Sequence, residues 1–122
     1  MRIALIALGG AMGAVLRYTM TGWVQSLGGS RFPWGTLAVN VLGSFVLAYL
    51  IAVQLGAVSG PFGDRHFWAI GLLGAFTTYS TFSYETVALF SAGDWTAALA
   101  NVISSLVLGL AAALLGLRLG TL

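Results

Sequence analysis

Four apolar stretches dominate the chain: Ile3–Leu27, Trp34–Leu55, Phe67–Phe90 and Trp95–Leu117. A helix rises 1.5 Å per residue, so about 20 apolar residues cross a bilayer core. Each stretch meets that length. A soluble domain carries about 25% charged residues, whereas only 7% of this chain is charged. The mean hydropathy is +0.98. These features predict a multi-pass, all-α membrane protein: one domain over residues 1–122, with four transmembrane helices. Arg2 ahead of the first stretch resembles the start of a signal peptide. Three further spans, with no soluble domain after them, argue against that reading.

The linkers agree with this division. "GGSRFP" and "GAVSGPFGDRH" are rich in Gly and Pro, and "SAGD" is a tight turn whose Asp94 is placed to cap the fourth helix. Trp34, Trp68 and Trp95 stand at span starts, where aromatic belts anchor helices. The chain has no cysteine, so disulfides and thiolate metal sites are excluded. His66 and three scattered acids form no ligand cluster, and His66 reads as a juxtamembrane interface residue. No nucleophile–base pair is recognisable, so an enzyme is not expected.

The positive charges orient the spans poorly. With alternating spans, Arg2, Arg65 and Arg118 fall on one side and Arg31 on the other, while Arg17 lies inside span one. So weak a bias permits insertion in both directions. Four helices make a thin bundle, and two copies would supply eight helices around a shared interior. Gly9 and Gly13, flanked by Gly10 and Ala14, form a small-residue stripe suited to close helix contact; Ser105 and Gly109 form a looser one.

Polar side chains at bilayer depth must face protein or water. Arg17 either snorkels to the interface or draws anions into a vestibule. Thr36, Asn40 and Ser44 recur every four residues and share one face of span two. An amide carries two N–H donors and an acceptor oxygen. Asn40 can therefore replace water around an anion, or join two helices by a hydrogen bond. In span four, Asn101, Ser105 and Gly109 form a second stripe, with Ser104 beside it.

Span three contains the densest polar run, "GAFTTYSTFSYE" (Gly74–Glu85), with three Thr and two Ser in twelve residues. As an unbroken lipid-facing helix it would be poor. Its composition predicts a discontinuous helix, whose freed carbonyls can hold a small cation and whose second half presents N–H donors. Irregular backbone of this kind is tolerated only inside protein or along a cavity. Tyr79 and Phe82 share a face of the second half. Their positive ring edges can contact an anion, or the rings can simply pack. Glu85 lies towards the membrane exit, where it tunes ion entry, relays a proton or snorkels.

"GGAMGAVLRY" (Gly9–Tyr18), "GTLAVNVLGSF" (Gly35–Phe45) and "GLLGAFTTYSTFSYE" (Gly71–Glu85), in this order, resemble the Fluc family of fluoride channels, and the resemblance covers all four spans. It implies an antiparallel, dual-topology homodimer with two pores at the subunit interface. Such a channel passively releases cytoplasmic fluoride through the cell (inner or plasma) membrane and gives fluoride resistance. It implies a central sodium ion held by backbone carbonyls at the span-three break, here Gly74 and Thr77. The pore asparagine corresponds to Asn40 and the two box aromatics to Tyr79 and Phe82. Ser80 and Thr81 match the polar track, Ser105 the span-four serine, and Arg17 the arginine of the Arg-Tyr pair. Thr36 joins the pore set from the span-two stripe, with Glu85 at the exit. The expected partners are fluoride, the bilayer and a second copy, with no nucleic acid.

Two positions depart from the family pattern: Tyr79 stands where Phe is usual, and Asn101 where span four usually has Tyr. A proton-coupled exporter of the small multidrug resistance type has the same size and weak charge bias. It needs an intramembrane carboxylate, typically in span one, and Glu85 is the sole candidate here. A structural membrane subunit without transport is a third class.

Overall fold

The computed structural model describes residues 1–55 and 63–122, and every described segment of regular structure is helical. Most of the longest linker, residues 56–62, lies outside the described residues. Helix α1 spans Arg2–Gly28 and α2 spans Trp34–Leu55. A wide-turned π-helix, His66–Leu73, runs into a short α3, Gly74–Phe76. Then come α4, Tyr79–Ser91, and α5, Trp95–Gly120. Among the described residues, three helices are long and apolar enough to cross a membrane: α1, α2 and α5. The third apolar stretch is assembled from shorter pieces.

The small-residue stripe of α1 works within the chain. Gly9 and Gly13 are buried against the π-helix. A Cβ on Gly13 would collide with the Leu72 carbonyl, and one on Gly71 would lie 2.8 Å from the Ile6 carbonyl oxygen. These glycines let two backbones touch, as small-residue contacts do in membranes. Helix α5 uses Gly116 in the same way, since a Cβ there would strike the Phe45 carbonyl of α2. Among the described residues, Gly109 has open space around it.

Val39, Leu50, Leu72, Leu73 and Phe76 form the buried core, backed by Met20, Val46, Leu47, Tyr49 and Phe67. This core joins α2 to the π-helix and α3. Large apolar side chains elsewhere face outward, among them Leu8, Val15, Leu106 and Leu110. That distribution suits a protein whose surroundings are lipid or another copy, not water.

Capping follows local chemistry. Asp94 accepts the Ala97 N–H at 3.2 Å and starts α5, as its place in the turn predicts. Gln25 folds the first linker back on α1. Its amide donates to the Phe32 carbonyl at 2.9 Å and accepts the Gly35 N–H at 3.1 Å. Asp64 Oδ1 accepts from the His66 N–H at 2.7 Å and lies 2.6 Å from His66 Nδ1. This pair marks the start of the π-helix. The His66 backbone bond, with the His66 ring behind it, holds the exposed Asp64 carboxyl below its ordinary range.

Candidate functional site

The helical path stops at two residues. Thr77 has φ −85° and ψ 156°, and Thr78 has φ −150° and ψ 116°; both are extended. Extended backbone takes peptide groups out of the helical ladder, and those groups need other partners. For Thr78, Asn40 of α2 provides them. Its Oδ1 accepts the Thr78 N–H at 2.8 Å, and its Nδ2 donates to the Thr78 carbonyl at 2.9 Å. Gly43, one turn on, admits the break closely: a Cβ there would collide with the Thr77 methyl. Ser44 donates back to the Asn40 carbonyl at 2.7 Å.

Thr78 also caps α4. Its hydroxyl accepts the Thr81 N–H at 3.3 Å and lies 3.0 Å from the Thr81 hydroxyl. Ser80 Oγ is 3.5 Å from the same oxygen, and Ser80 is otherwise exposed. An N-cap threonine just ahead of a helix is a readable signal. Thr78 was nevertheless absent from the residues the sequence singled out for the site, because its principal partner, Asn40, is 38 positions away.

Helix α4 has no buried residue. Three side-chain ties hold it to its neighbours. The first is the Asn40–Thr78 clasp. The second is Thr36 Oγ1, which donates to Glu85 Oε1 at 2.8 Å. The third is Asn101 Nδ2, which donates to Thr86 Oγ1 at 2.9 Å. Thr86 in turn donates to the Phe82 carbonyl at 2.8 Å. Asn101 is 1% exposed, so its amide is committed to this contact. Both polar stripes predicted on α2 and α5 are thus directed at the break and at α4.

A groove of about 430 Å³ gathers Asn40, Ser44, Thr77, Tyr79, Phe82 and Ser105, with Thr78 in its wall. The Tyr79 and Phe82 rings lie 5.9 Å apart, tilted by 45°. Tyr79 is 80% exposed, so the groove is open on that side. Thr78 also lines a second cavity, of about 330 Å³, with Arg17, Tyr18, Thr36 and Thr81. Glu85 is separate from both and lines a third cavity, of about 490 Å³, with Gln25 and Arg31. Its Oε2 is buried and has no hydrogen-bond partner among the described residues. Gly74 is exposed beside the break.

The residues expected in one pore are thus divided between the groove (Asn40, Tyr79, Phe82, Ser105) and the second cavity (Arg17, Thr36, Thr81), with Glu85 in the third. Uncharged polar side chains and the two aromatic residues line the groove; an arginine and hydroxyls line the second cavity. Among the described residues no three His, Cys, Asp or Glu side chains come together to hold a metal ion.

Residues 4–117 match the protein family described as CrcB-like protein, Camphor Resistance (CrcB). The chain is 51% identical over 120 residues to a "Fluoride-specific ion channel FluC" of Thermus thermophilus, an alignment covering 98% of this chain and 93% of the relative. It is 48% identical over 122 residues to the protein of that name from Magnetococcus marinus, covering 100% and 99% of the two chains. The Agrobacterium fabrum protein, with the same name, is 43% identical over 118 residues, covering 97% and 94%.

Proposed function

The chain belongs to the CrcB-like family, and from that premise we propose that it is a fluoride-selective ion channel, passive and not pumping, that releases cytoplasmic fluoride. The observation that carries this reading is the groove at the break. Asn40, Ser105, Tyr79 and Phe82 meet there. Fluoride holds its water tightly, so a path for it needs close donors that replace that water yet release the ion. Amide N–H, hydroxyl and aromatic C–H edges are such donors without formal charge. Arg17, in the cavity behind Thr78, raises the local anion concentration. Thr36, Ser80 and Thr81 continue the polar lining, and Glu85, bonded to Thr36, lies beyond it in the third cavity as the exit residue.

The working unit is an antiparallel, dual-topology homodimer in the cell (inner or plasma) membrane, with two pores at the subunit interface. The open groove, the α4 helix without buried residues and the weak charge bias support it. The third span is broken within the bilayer at Thr77–Thr78. At the dimer axis the Gly74 and Thr77 carbonyls hold a central sodium ion, which supplies positive charge and cross-links the two breaks. The donor set fits: each copy offers two neutral oxygens, and two copies offer four. The expected benefit to the cell is fluoride resistance. The exporter alternative wants an acid in span one, where this chain has Arg17.

The test is fluoride efflux from proteoliposomes under a potassium gradient. Rapid fluoride release that needs valinomycin, with chloride retained, supports the channel. Release driven only by a proton gradient contradicts it.

A further inference from the structure

Asn40 lines the groove, but its clasp on Thr78 has a second consequence, on the other side of the break. If the α3 helix simply continued, the Thr78 N–H would donate to the carbonyl four residues back, that of Gly74. It goes to Asn40 Oδ1 instead, at 2.8 Å. One residue earlier the ladder is intact, because the Thr77 N–H donates to the Leu73 carbonyl at 3.1 Å. The Thr77 hydroxyl adds a second bond to that carbonyl, also at 3.1 Å. The ladder therefore ends between these two donors, and the Gly74 carbonyl is the first oxygen released. Gly74 is exposed, and among the described residues an added Cβ would meet only the Ala69 oxygen, at 3.7 Å.

We infer that Asn40 is a positioning residue for the cation cage: by capturing the Thr78 N–H it keeps the Gly74 carbonyl free for a cation, so one side chain joins the anion groove to the cation site. This rests on the reading above that Gly74 and Thr77 carbonyls hold sodium. The choice of residue follows from the chemistry. An amide accepts the N–H and donates to the C=O of the same residue, which a carboxylate or hydroxyl does less completely. Without Oδ1 the Thr78 N–H is left unpaired, and its nearest acceptor along the helix path is the Gly74 carbonyl. Closing that turn occupies the oxygen.

The experiment is thermal unfolding of the purified full-length protein in detergent, with sodium chloride replaced stepwise by N-methylglucamine chloride at constant ionic strength. A cation that binds only the folded state raises the Tm. The wild-type Tm should rise with sodium. Asn40→Leu should lose the rise. Asn40→Asp, which still accepts the Thr78 N–H, should keep it. Ser105→Ala, in the same groove but without a bond to Thr78, should keep it too. Where Asn40→Leu does not fold, Asn40→Ser, too short to reach Thr78, replaces it with the same expectation. A sodium rise that survives in the Leu or Ser variant overturns the coupling, as does its equal loss in Asn40→Asp or Ser105→Ala. A wild-type Tm indifferent to sodium overturns the cation cage itself.

Discussion

Asn101 and Thr86 meet across the interface of α5 and α4, with the buried Asn101 amide donating to the Thr86 hydroxyl at 2.9 Å. The hydroxyl passes the contact on to the Phe82 carbonyl at 2.8 Å. Helix α4, which has no buried residue, is thereby tied to α5 one turn from Phe82, which lines the groove. Asn101→Ala leaves a cavity and removes the donor, and should destabilise the folded protein by about 1–3 kcal/mol. Thr86→Val leaves the Asn101 amide unpaired and should cost a similar amount. In a double-mutant cycle read by thermal unfolding the two changes should couple by about 0.5–2 kcal/mol. Strict additivity would show that the bond is not formed.

Phe82→Ile keeps an apolar side chain but removes the ring edge. Fluoride efflux should be abolished while the protein keeps the elution volume of the wild type. Unchanged efflux would refute the groove as the conduction path. Tyr79→Phe should remain an active channel because the edge persists, whereas Tyr79→Ile should not.

Gly13→Ala places a methyl group against the Leu72 carbonyl. Backbone cannot give way as a flexible side chain can, so α1 must move off the π-helix, at a cost of about 1–3 kcal/mol. Gly109→Ala meets nothing within 4 Å among the described residues and should not lower the Tm. Thermal unfolding of the two variants side by side checks both expectations.

The Asp64–His66 pair predicts an acid limb in stability. Asp64 has a lowered pKa, chiefly through the His66 backbone N–H and then the His66 ring. The folded state therefore holds the carboxylate more readily than the unfolded chain does. The contribution is present above the unfolded value of about 3.9 and is lost as pH falls through the lower folded value. Tm measured from neutral to acid pH should fall less steeply below about pH 4 in Asp64→Asn than in the wild type. Asp64 is exposed, so the effect should be small.

The long helices were legible in the sequence because they are local: apolar length and a capping aspartate suffice for α1, α2 and α5. Local signals also marked Gly74–Glu85 as unsuited to a plain helix. Which groups take up the freed backbone was not legible, because the partners are far apart in the chain. Asn40 had two open roles, as an anion donor or in a helix-to-helix bond. In the folded chain it reaches the groove and also holds the backbone of Thr78. Glu85 read as an exit residue, yet its partner is Thr36, 49 positions away. The α1 glycines announced a close contact but not its partner, which proved to be the π-helix of the same chain.

The most direct test of the account is the reversal potential of reconstituted protein in a planar bilayer, with a tenfold fluoride gradient and symmetric chloride and pH. A passive fluoride-selective channel predicts a reversal at about 59 mV, the equilibrium value for a tenfold gradient of a monovalent ion. A reversal at zero, or one that follows an imposed pH gradient instead of fluoride, would contradict it.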